Sequence, residues 1–144
     1  MKKCYLDANV LIYAKNESAL QHAKALKKLE MLAKNEFELY ISPLIIDEFI
    51  HTLLFLKSLN KKGFEINELK QDLLELLDLP RINIINPPID QKSQFLVLEF
   101  MQKYSLGPRD SYHLLTMISN SVDTFATFDT DFKKVFSSRL LAPA

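Results

Sequence analysis

The chain has 144 residues, of which 48% are hydrophobic, and its 18 basic and 18 acidic residues give a formal net charge of zero. This length and hydrophobic content exclude a disordered chain and suit one domain with a substantial core, which we expect to span residues 1–144. The balanced charge excludes a strong overall attraction to nucleic acid or membranes, so any nucleic-acid binding must depend on local basic patches or bound metal.

The single cysteine, Cys4, excludes an internal disulfide framework and is compatible with the reducing cytoplasm, where we expect the protein to reside. No apolar run approaches the ~18 residues that a membrane-spanning helix needs. The opening Met1-Lys2-Lys3 is similar to the start of a signal peptide, but Asp7 and Asn9 interrupt the apolar stretch that should follow.

The first predicted elements are a short apolar strand that ends at Asp7 and an apolar helix that follows it directly. A capping-box pattern over residues 18–21 predicts that the next helix begins near Ser18. Residues 38–41 predict a strand, and Pro43 suits the first position of a helix that should run to about Leu59 and stop at Asn60-Lys61-Lys62-Gly63.

The second half of the chain continues this alternation. The predicted elements are a helix over 68–77 capped by Asn67, a strand over 82–85, a helix from Asp90 to Tyr104 stopped by Gly107, a helix from Pro108 to about Asn120, a strand over 124–127, a short helical turn over 129–134 and an edge strand over 139–141. Because helices separate the strands, we predict a three-layer α/β/α domain around a parallel sheet. With two glycines, the chain has no GxGxxG fingerprint and no phosphate-binding P-loop.

Four acidic side chains can be placed at one edge of this sheet. Asp7 ends the first strand and Asp129 follows the fourth, so they would lie side by side if these strands are neighbours. Asp110 lies in the first turn of the helix before the fourth strand, where the helix dipole alone also favours a carboxylate. Glu48 lies beside the apolar face of its helix, where a carboxylate normally needs a partner. Each acid alone fits an ordinary structural role, and their coincidence with strand ends favours a site.

Carboxylates gathered at one point raise one another's pKa, and Arg109 alone would not offset them. A hard divalent cation would, because Mg²⁺ and Mn²⁺ prefer oxygen ligands, whereas zinc sites usually use Cys and His. Two such ions ~4 Å apart would suit an attack by water on a phosphodiester.

Four sequence motifs then carry a resemblance to a known family. They are Tyr5-Leu6-Asp7-Ala8-Asn9-Val10-Leu11-Ile12, Ser42-Pro43-Leu44-Ile45-Ile46-Asp47-Glu48-Phe49, Gly107-Pro108-Arg109-Asp110-Ser111 and Thr127-Phe128-Asp129-Thr130-Asp131-Phe132. In this order they resemble the motifs of PIN domains, the fold of VapC-type toxins of bacteria and archaea. The resemblance covers nearly the whole chain. It implies an endoribonuclease that depends on Mg²⁺ or Mn²⁺, commonly forms homodimers, and acts as the toxin of a type II pair, silenced by a small antitoxin.

The resemblance also assigns roles to individual residues. The metal-binding and catalytic acids would be Asp7, Glu48, Asp110 and Asp129, and the groups that orient ligands or the attacking water would be Asn9, Thr127 and Asp131. Positive side chains that could contact RNA phosphates are Arg109, Lys133 and Lys134, with Lys57, Lys61, Lys62 and Arg139 as further candidates.

Several alternatives stay open at this point. Helical spacing cannot choose between Asp47 and Glu48, although the family pattern favours Glu48. His113, three residues after Asp110, could face the site or could be an ordinary histidine without a catalytic role. The sequence assigns no role to the segment 61–79.

Two other functions also remain. One is an aspartyl phosphotransferase with Asp7 as nucleophile, although that chemistry usually uses a second acid where this chain has Asn9. The other is a catalytically silent PIN-like module whose acidic groove only binds a basic partner.

Overall fold

The computed structural model describes residues 1–59 and 66–144, with side chains described up to Lys57 and again from Ile66. The predicted helix stop at 60–63 lies outside these residues, as do the candidate RNA contacts Lys61 and Lys62. Among the described residues, no helix has both the length and the apolar character that crossing a bilayer requires.

A parallel sheet lies at the centre of the described fold. Its five strands are β1 (Lys3–Leu6), β2 (Glu38–Ile41), β3 (Ile82–Ile84), β4 (Thr124–Ala126) and β5 (Ala142–Pro143), in the order β3-β2-β1-β4-β5. β1 is central and pairs in parallel with both β2 and β4. The strand order therefore reverses between β1 and β4, and this switch point is where open α/β sheets bind their ligands.

Helices flank the sheet, which confirms the predicted α/β/α class. They are α1 (Ala8–Lys15), α2 (His22–Lys34), α3 (Pro43–Leu59), α4 (Ile66–Leu77), α5 (Gln91–Tyr104), α6 (Pro108–Ser119) and α7 (Lys133–Ser137). β1 lies in the middle of the core, with Cys4, Tyr5 and Leu6 fully buried. Burial raises the pKa of the Cys4 thiol to about 12, so this side chain acts as a small apolar residue rather than a reactive one.

Two predicted helix starts are wrong. α2 begins at His22 rather than near Ser18, because the Ser18 hydroxyl and amide both donate to Asn16 Oδ1, at 2.7 and 3.3 Å, and form a turn instead of a cap. α4 begins at Ile66, so Asn67 lies within its first turn and does not cap it. By contrast, Asp90 caps α5 as predicted, accepting from the Ser93 amide at 3.0 Å.

The C-terminal part of the chain shows three further differences. α5 ends at Ser105, which takes the left-handed conformation (φ 55°), whereas Gly107 is extended and precedes α6. The predicted helical turn over 129–134 forms only in its last part: a bend and a turn occupy 130–132, and α7 begins at Lys133, because Asp129 Oδ1 accepts the Asp131 amide at 3.0 Å. The edge strand lies at 142–143 instead of 139–141, because the chain is left-handed at Arg139 (φ 63°) and first pairs with β4 at Ala142.

The described part of the segment 61–79 contains α4, which forms ion pairs with α1 and α3. Leu69 and Leu76 are buried in the core. Lys15 of α1 pairs with Asp72 at 3.0 Å, and Lys57 of α3 pairs with Glu68 at 3.0 Å. α4 therefore stabilises the packing beside the site-bearing helices, and Lys57 is engaged in an ion pair.

Candidate metal-binding active site

A cleft of about 380 Å³ opens at the C-terminal ends of β1 and β4. The four acids expected to share a site all line it: Asp7, Glu48, Asp110 and Asp129. They come from four parts of the chain, namely the end of β1, α3, the first turn of α6 and the loop after β4. The structure therefore brings together residues that are up to 122 positions apart, from 7 to 129.

Asp7 is tied to the neighbouring strand by both its backbone and its side chain. Its amide donates to Ala126 O at 2.9 Å, and its Oδ2 accepts from Thr127 Oγ1 at 2.6 Å and from Asn9 Nδ2 at 3.3 Å. Asp7 occupies the N-cap position of α1, yet its carboxylate makes no capping bond. Burial raises the pKa of Asp7, and the hydrogen bond from Thr127 lowers it in part. A half-buried carboxylate in this position is stabilised by added positive charge.

Asn9 and Thr127, which were expected to orient metal ligands, both accept hydrogen bonds from the loop after β4. Thr127 Oγ1 accepts the Asp129 amide at 2.9 Å, and Asn9 Oδ1 accepts the Phe128 amide at 3.2 Å. Asn9 Nδ2 also donates to Thr127 Oγ1 at 3.4 Å. Thr127 and Asn9 thus fix Asp129 relative to Asp7.

A group of three aspartates forms the most acidic part of the cleft region. Carboxylate oxygens of Asp110, Asp129 and Asp131 all lie within 4.8 Å of one another. Asp131 was expected to orient ligands, but its position is that of a direct ligand candidate. Its place two residues after Asp129 was visible in the sequence, but the bend that brings the carboxylates together was not.

Asp110 experiences the charge of this group directly. Its pKa is raised to about 6, first by burial and then by the nearby carboxylate of Asp129, while His113 lowers it. The Asp110 side chain lies in the first turn of α6, which begins with Pro108. The helix dipole favours the charged form there but does not cancel the repulsion.

Glu48 has the partners that its position beside an apolar face requires. Its side chain is 16% exposed, and its Oε1 lies 2.9 Å from His113 Nε2 and 3.6 Å from Arg109 Nε. Asp47, one position earlier on α3, is exposed. The geometry therefore distinguishes the two acids that helical spacing left equivalent.

Sequence reasoning missed a buried polar chain behind Glu48. His113 Nδ1 lies 2.8 Å from the Tyr5 hydroxyl, which lies 2.6 Å from Ser42 Oγ. Tyr5 is two residues before Asp7 on β1, and His113 is one helical turn after Asp110 on α6. These spacings place each on the same face as an acid, and this was the available signal.

Of the basic residues Arg109, Lys133 and Lys134, which were predicted to contact RNA, only Arg109 lines the cleft. Arg109 lines the cleft and its side chain is 63% exposed, which places a positive charge at the mouth. Lys133 and Lys134 are exposed on α7, and Lys134 Nζ donates to Ser105 Oγ at 2.6 Å.

The donor set fits a hard divalent cation. The aspartate group offers carboxylate oxygens, the ligands that Mg²⁺ and Mn²⁺ prefer. Within the described residues, this is the one group of three or more potential metal-binding side chains whose ligand atoms lie within 4.8 Å of one another; Asp7 and Glu48 line the cleft but are not part of this group.

Comparisons with known proteins agree with this architecture. The family model of the PIN domain matches residues 4–136. Ribonuclease VapC2 of Methanocaldococcus jannaschii is 27% identical over 138 residues, which cover 92% of this chain and 89% of the relative. A chain from the VapBC2 structure of Rickettsia felis, bound to a promoter DNA fragment, superposes with a TM-score of 0.66 at 21% identity and covers 99% of this chain and 97% of its own.

A second solved structure with a similar fold is VapC20 of Mycobacterium tuberculosis, described as a toxin that cleaves the sarcin–ricin loop. It has a TM-score of 0.62 at 13% identity, with 92% of this chain and 94% of the other covered. At these identities the structural matches establish the fold.

Proposed function

Because this chain belongs to the PIN domain family, we propose that it is a metal-dependent endoribonuclease that hydrolyses RNA phosphodiester bonds. The observation that carries this proposal is the convergence of Asp7, Glu48, Asp110 and Asp129 on one cleft at the switch point of the sheet. The relative named Ribonuclease VapC2 supports the same reaction class.

The residues of the cleft have distinct roles in this proposal. Asp7, Asp110 and Asp129 would hold one Mg²⁺ or Mn²⁺ ion, and Glu48 would hold or bridge a second. Asp131 is a further ligand candidate because of its distance from Asp110 and Asp129. When bound, the ion supplies a Lewis acid and a water molecule whose pKa is lowered towards neutrality.

The other residues position the ligands and the substrate. Thr127 and Asn9 hold the Asp7 carboxylate through its Oδ2. Arg109 presents a guanidinium at the mouth, where it would attract a phosphate group towards an otherwise acidic cleft. Because water rather than the ribose 2′-hydroxyl attacks, the products would carry a 3′-hydroxyl and a 5′-phosphate.

The direct test of this reaction uses the purified chain and a labelled RNA. We expect cleavage with Mn²⁺ or Mg²⁺, no cleavage with a chelator, and 5′-phosphate ends on the products. Intact RNA under all metal conditions would exclude the nuclease, and 2′,3′-cyclic phosphate ends would exclude attack by water. Anomalous diffraction from Mn²⁺-soaked crystals would locate the ion, which we expect between Asp7, Asp110 and Asp129.

The biological role we propose is that of the toxin in a type II toxin–antitoxin pair. The Rickettsia felis chain of the same fold comes from a VapBC2 structure, which supports a small antitoxin as a partner. Expression of the chain alone should then arrest growth, and co-expression of the product of a small adjacent reading frame should relieve the arrest. The proposed homodimer would appear in sedimentation as twice the mass of 16.7 kDa.

The rival functions give different results in the same assays. A phosphotransferase would form a phosphoaspartate at Asp7, but Asp7 Oδ2 already accepts two hydrogen bonds and Asn9 offers an amide where that chemistry uses an acid. A silent module would bind its partner at the cleft without any metal-dependent cleavage of RNA.

A further inference from the structure

Behind Glu48, four buried or half-buried groups form an uninterrupted chain of hydrogen bonds. The Ile45 amide donates to Ser42 Oγ at 3.4 Å, Ser42 Oγ lies 2.6 Å from the Tyr5 hydroxyl, and that hydroxyl lies 2.8 Å from His113 Nδ1. His113 Nε2 completes the chain at 2.9 Å from Glu48 Oε1. The exposed fractions of Ser42, Tyr5 and His113 are 1%, 0% and 2%, so water does not compete for these bonds.

The carboxylate end of the chain sets the direction of its protons. Glu48 accepts from His113 Nε2–H, so in a neutral imidazole Nδ1 accepts from the Tyr5 hydroxyl, and Tyr5 in turn accepts from Ser42. Every hydroxyl then donates once, and the imidazole is in its Nε2–H tautomer. Burial raises the pKa of Tyr5, which keeps this hydroxyl protonated as a donor.

The chain also joins the elements that carry the acids. Tyr5 lies on β1, and Asp7 directly follows this strand. Ser42 precedes α3, which carries Glu48. His113 lies one turn after Asp110 on α6. The contacts of His113 and Arg109 with Glu48 are both to Oε1. Among the described residues, Oε2 has no protein hydrogen-bond partner and remains available to a ligand in the cleft.

We propose that His113 is a positioning residue that fixes the Glu48 carboxylate through Oε1, with Tyr5 and Ser42 holding its imidazole, so that Oε2 is presented to a divalent cation. This inference rests on the proposed metal-dependent nuclease function. The carboxylate of a glutamate on a helix otherwise has several rotamers to lose when it binds a ligand, and a buried donor removes that cost beforehand.

The first test is the Mn²⁺ affinity of His113 variants, measured by calorimetry. His113→Phe keeps a ring of similar size but removes the donor, whereas the His113→Gln amide can reach the position of Nε2. We expect His113→Phe to weaken Mn²⁺ binding by about 10- to 100-fold and His113→Gln to retain most of the affinity. Unchanged affinity in folded His113→Phe would overturn the proposal.

A second comparison separates positioning from a general structural effect. In a Glu48→Ala background, where there is no carboxylate to position, His113→Phe should produce no further loss of Mn²⁺ affinity. An equal loss with and without Glu48 would show that His113 acts through the fold and would overturn the proposal. Circular dichroism of each variant checks that the protein is folded.

A third readout uses the metal-free protein and a milder change. Tyr5→Phe removes one hydroxyl and leaves the ring, so His113 Nδ1 should lose its hydrogen bond and its ¹⁵N resonance should shift, while Glu48 keeps the proton on Nε2; Mn²⁺ binding should weaken. The matched control is Tyr40→Phe, which removes a half-buried hydroxyl that donates to Glu38 at 2.7 Å and should change neither measurement. An unchanged His113 Nδ1 resonance in Tyr5→Phe would contradict the proposed chain.

These outcomes are distinguishable from failure of the proposed function. If the wild-type protein binds Mn²⁺ and cleaves RNA while His113→Phe binds Mn²⁺ equally well, the positioning role fails and the nuclease stands. If the wild-type protein binds no Mn²⁺ at millimolar concentration, both proposals are wrong.

Discussion

Thr127 Oγ1 donates a 2.6 Å hydrogen bond to Asp7 Oδ2, a contact between residues 120 positions apart. The same Thr127 oxygen accepts the Asp129 amide at 2.9 Å. One hydroxyl therefore fixes the acid at the end of β1 relative to the acid beyond β4. Residues that hydrogen-bond to metal ligands in this way affect metal binding strongly, because they determine the orientation of the ligands.

Thr127→Val tests this relationship, because it removes the hydroxyl and keeps the side-chain shape. Asp7 Oδ2 would lose its shortest donor and the Asp129 amide its acceptor, so we expect RNA cleavage to fall by about 10- to 100-fold. Thr124→Val is the matched control, since Thr124 begins β4, which Thr127 directly follows, and the Thr124 hydroxyl donates to its exposed neighbour Asp123. Equal activities of the two variants would contradict the role of Thr127.

The neighbouring acids Asp47 and Glu48 provide a matched pair on one helix. Glu48→Gln removes the negative charge from the cleft, so we expect a large loss of cleavage and of Mn²⁺ affinity. Asp47→Asn alters an exposed carboxylate outside the cleft lining and should leave both unchanged. Steady-state cleavage assays and calorimetry on the two proteins make the comparison, and the reverse ranking would assign the site to Asp47.

The raised pKa of Asp110 predicts how stability depends on pH without metal. Folded Asp110 holds its proton up to about pH 6, against a usual value of 3.8, so its protonated form contributes stability that is complete below about pH 4 and lost as the pH rises through 6. Asp110→Asn should remove this loss and stabilise the chelated protein at pH 7 by roughly 1 kcal/mol after allowance for solvent screening.

Thermal denaturation in chelator at several pH values measures this effect. Asp90→Asn is a control of opposite sign, because hydrogen bonds from Ser93 lower the pKa of Asp90 and its contribution is lost as the pH falls. We also expect Mn²⁺ to raise the melting temperature of the wild-type protein above pH 6 and to have less effect on Asp110→Asn. A pH profile unchanged by Asp110→Asn would contradict the charge repulsion inferred at the cluster.

α4 should contribute stability rather than chemistry. Leu76 is 4% exposed, so Leu76→Ala should lower the free energy of unfolding by about 2–5 kcal/mol. Leu74 is 53% exposed on the same helix, and Leu74→Ala should cost much less. Urea denaturation measures both, and Mn²⁺ affinity should be the same in the two folded variants. A cost for Leu74→Ala as large as that for Leu76→Ala would show that α4 packs differently.

The elements that the sequence predicted best are bounded by strong local signals. β2 and α3 have the predicted bounds because Ser42-Pro43 ends an apolar strand and begins a helix, and Pro43 cannot continue the strand pairing. The errors at Ser18 and Gly107 are both caused by a nearby residue. Asn16 Oδ1 accepts the Ser18 hydroxyl and amide and forms a turn, and Ser105 rather than Gly107 takes the left-handed conformation at the end of α5.

The site was predictable to the extent that it depends on strand ends and helix starts. Asp7 and Asp129 met because β1 and β4 are neighbours, as expected for acids that follow parallel strands. The contact between His113 and Glu48 depends on how α6 packs against α3, 65 positions away along the chain, and no local pattern encodes that distance. Asp131 was visible in the sequence, but the turn that brings it to Asp110 was not.

The measurement that tests the account most directly compares the wild-type protein with Asp7→Asn in Mn²⁺-dependent cleavage of RNA, with circular dichroism to verify folding. We predict that the folded Asp7→Asn protein shows no cleavage above the chelated wild type, because a half-buried carboxylate of the cleft has lost its charge. Full cleavage by folded Asp7→Asn would contradict the assignment of this cleft as the metal-dependent active site.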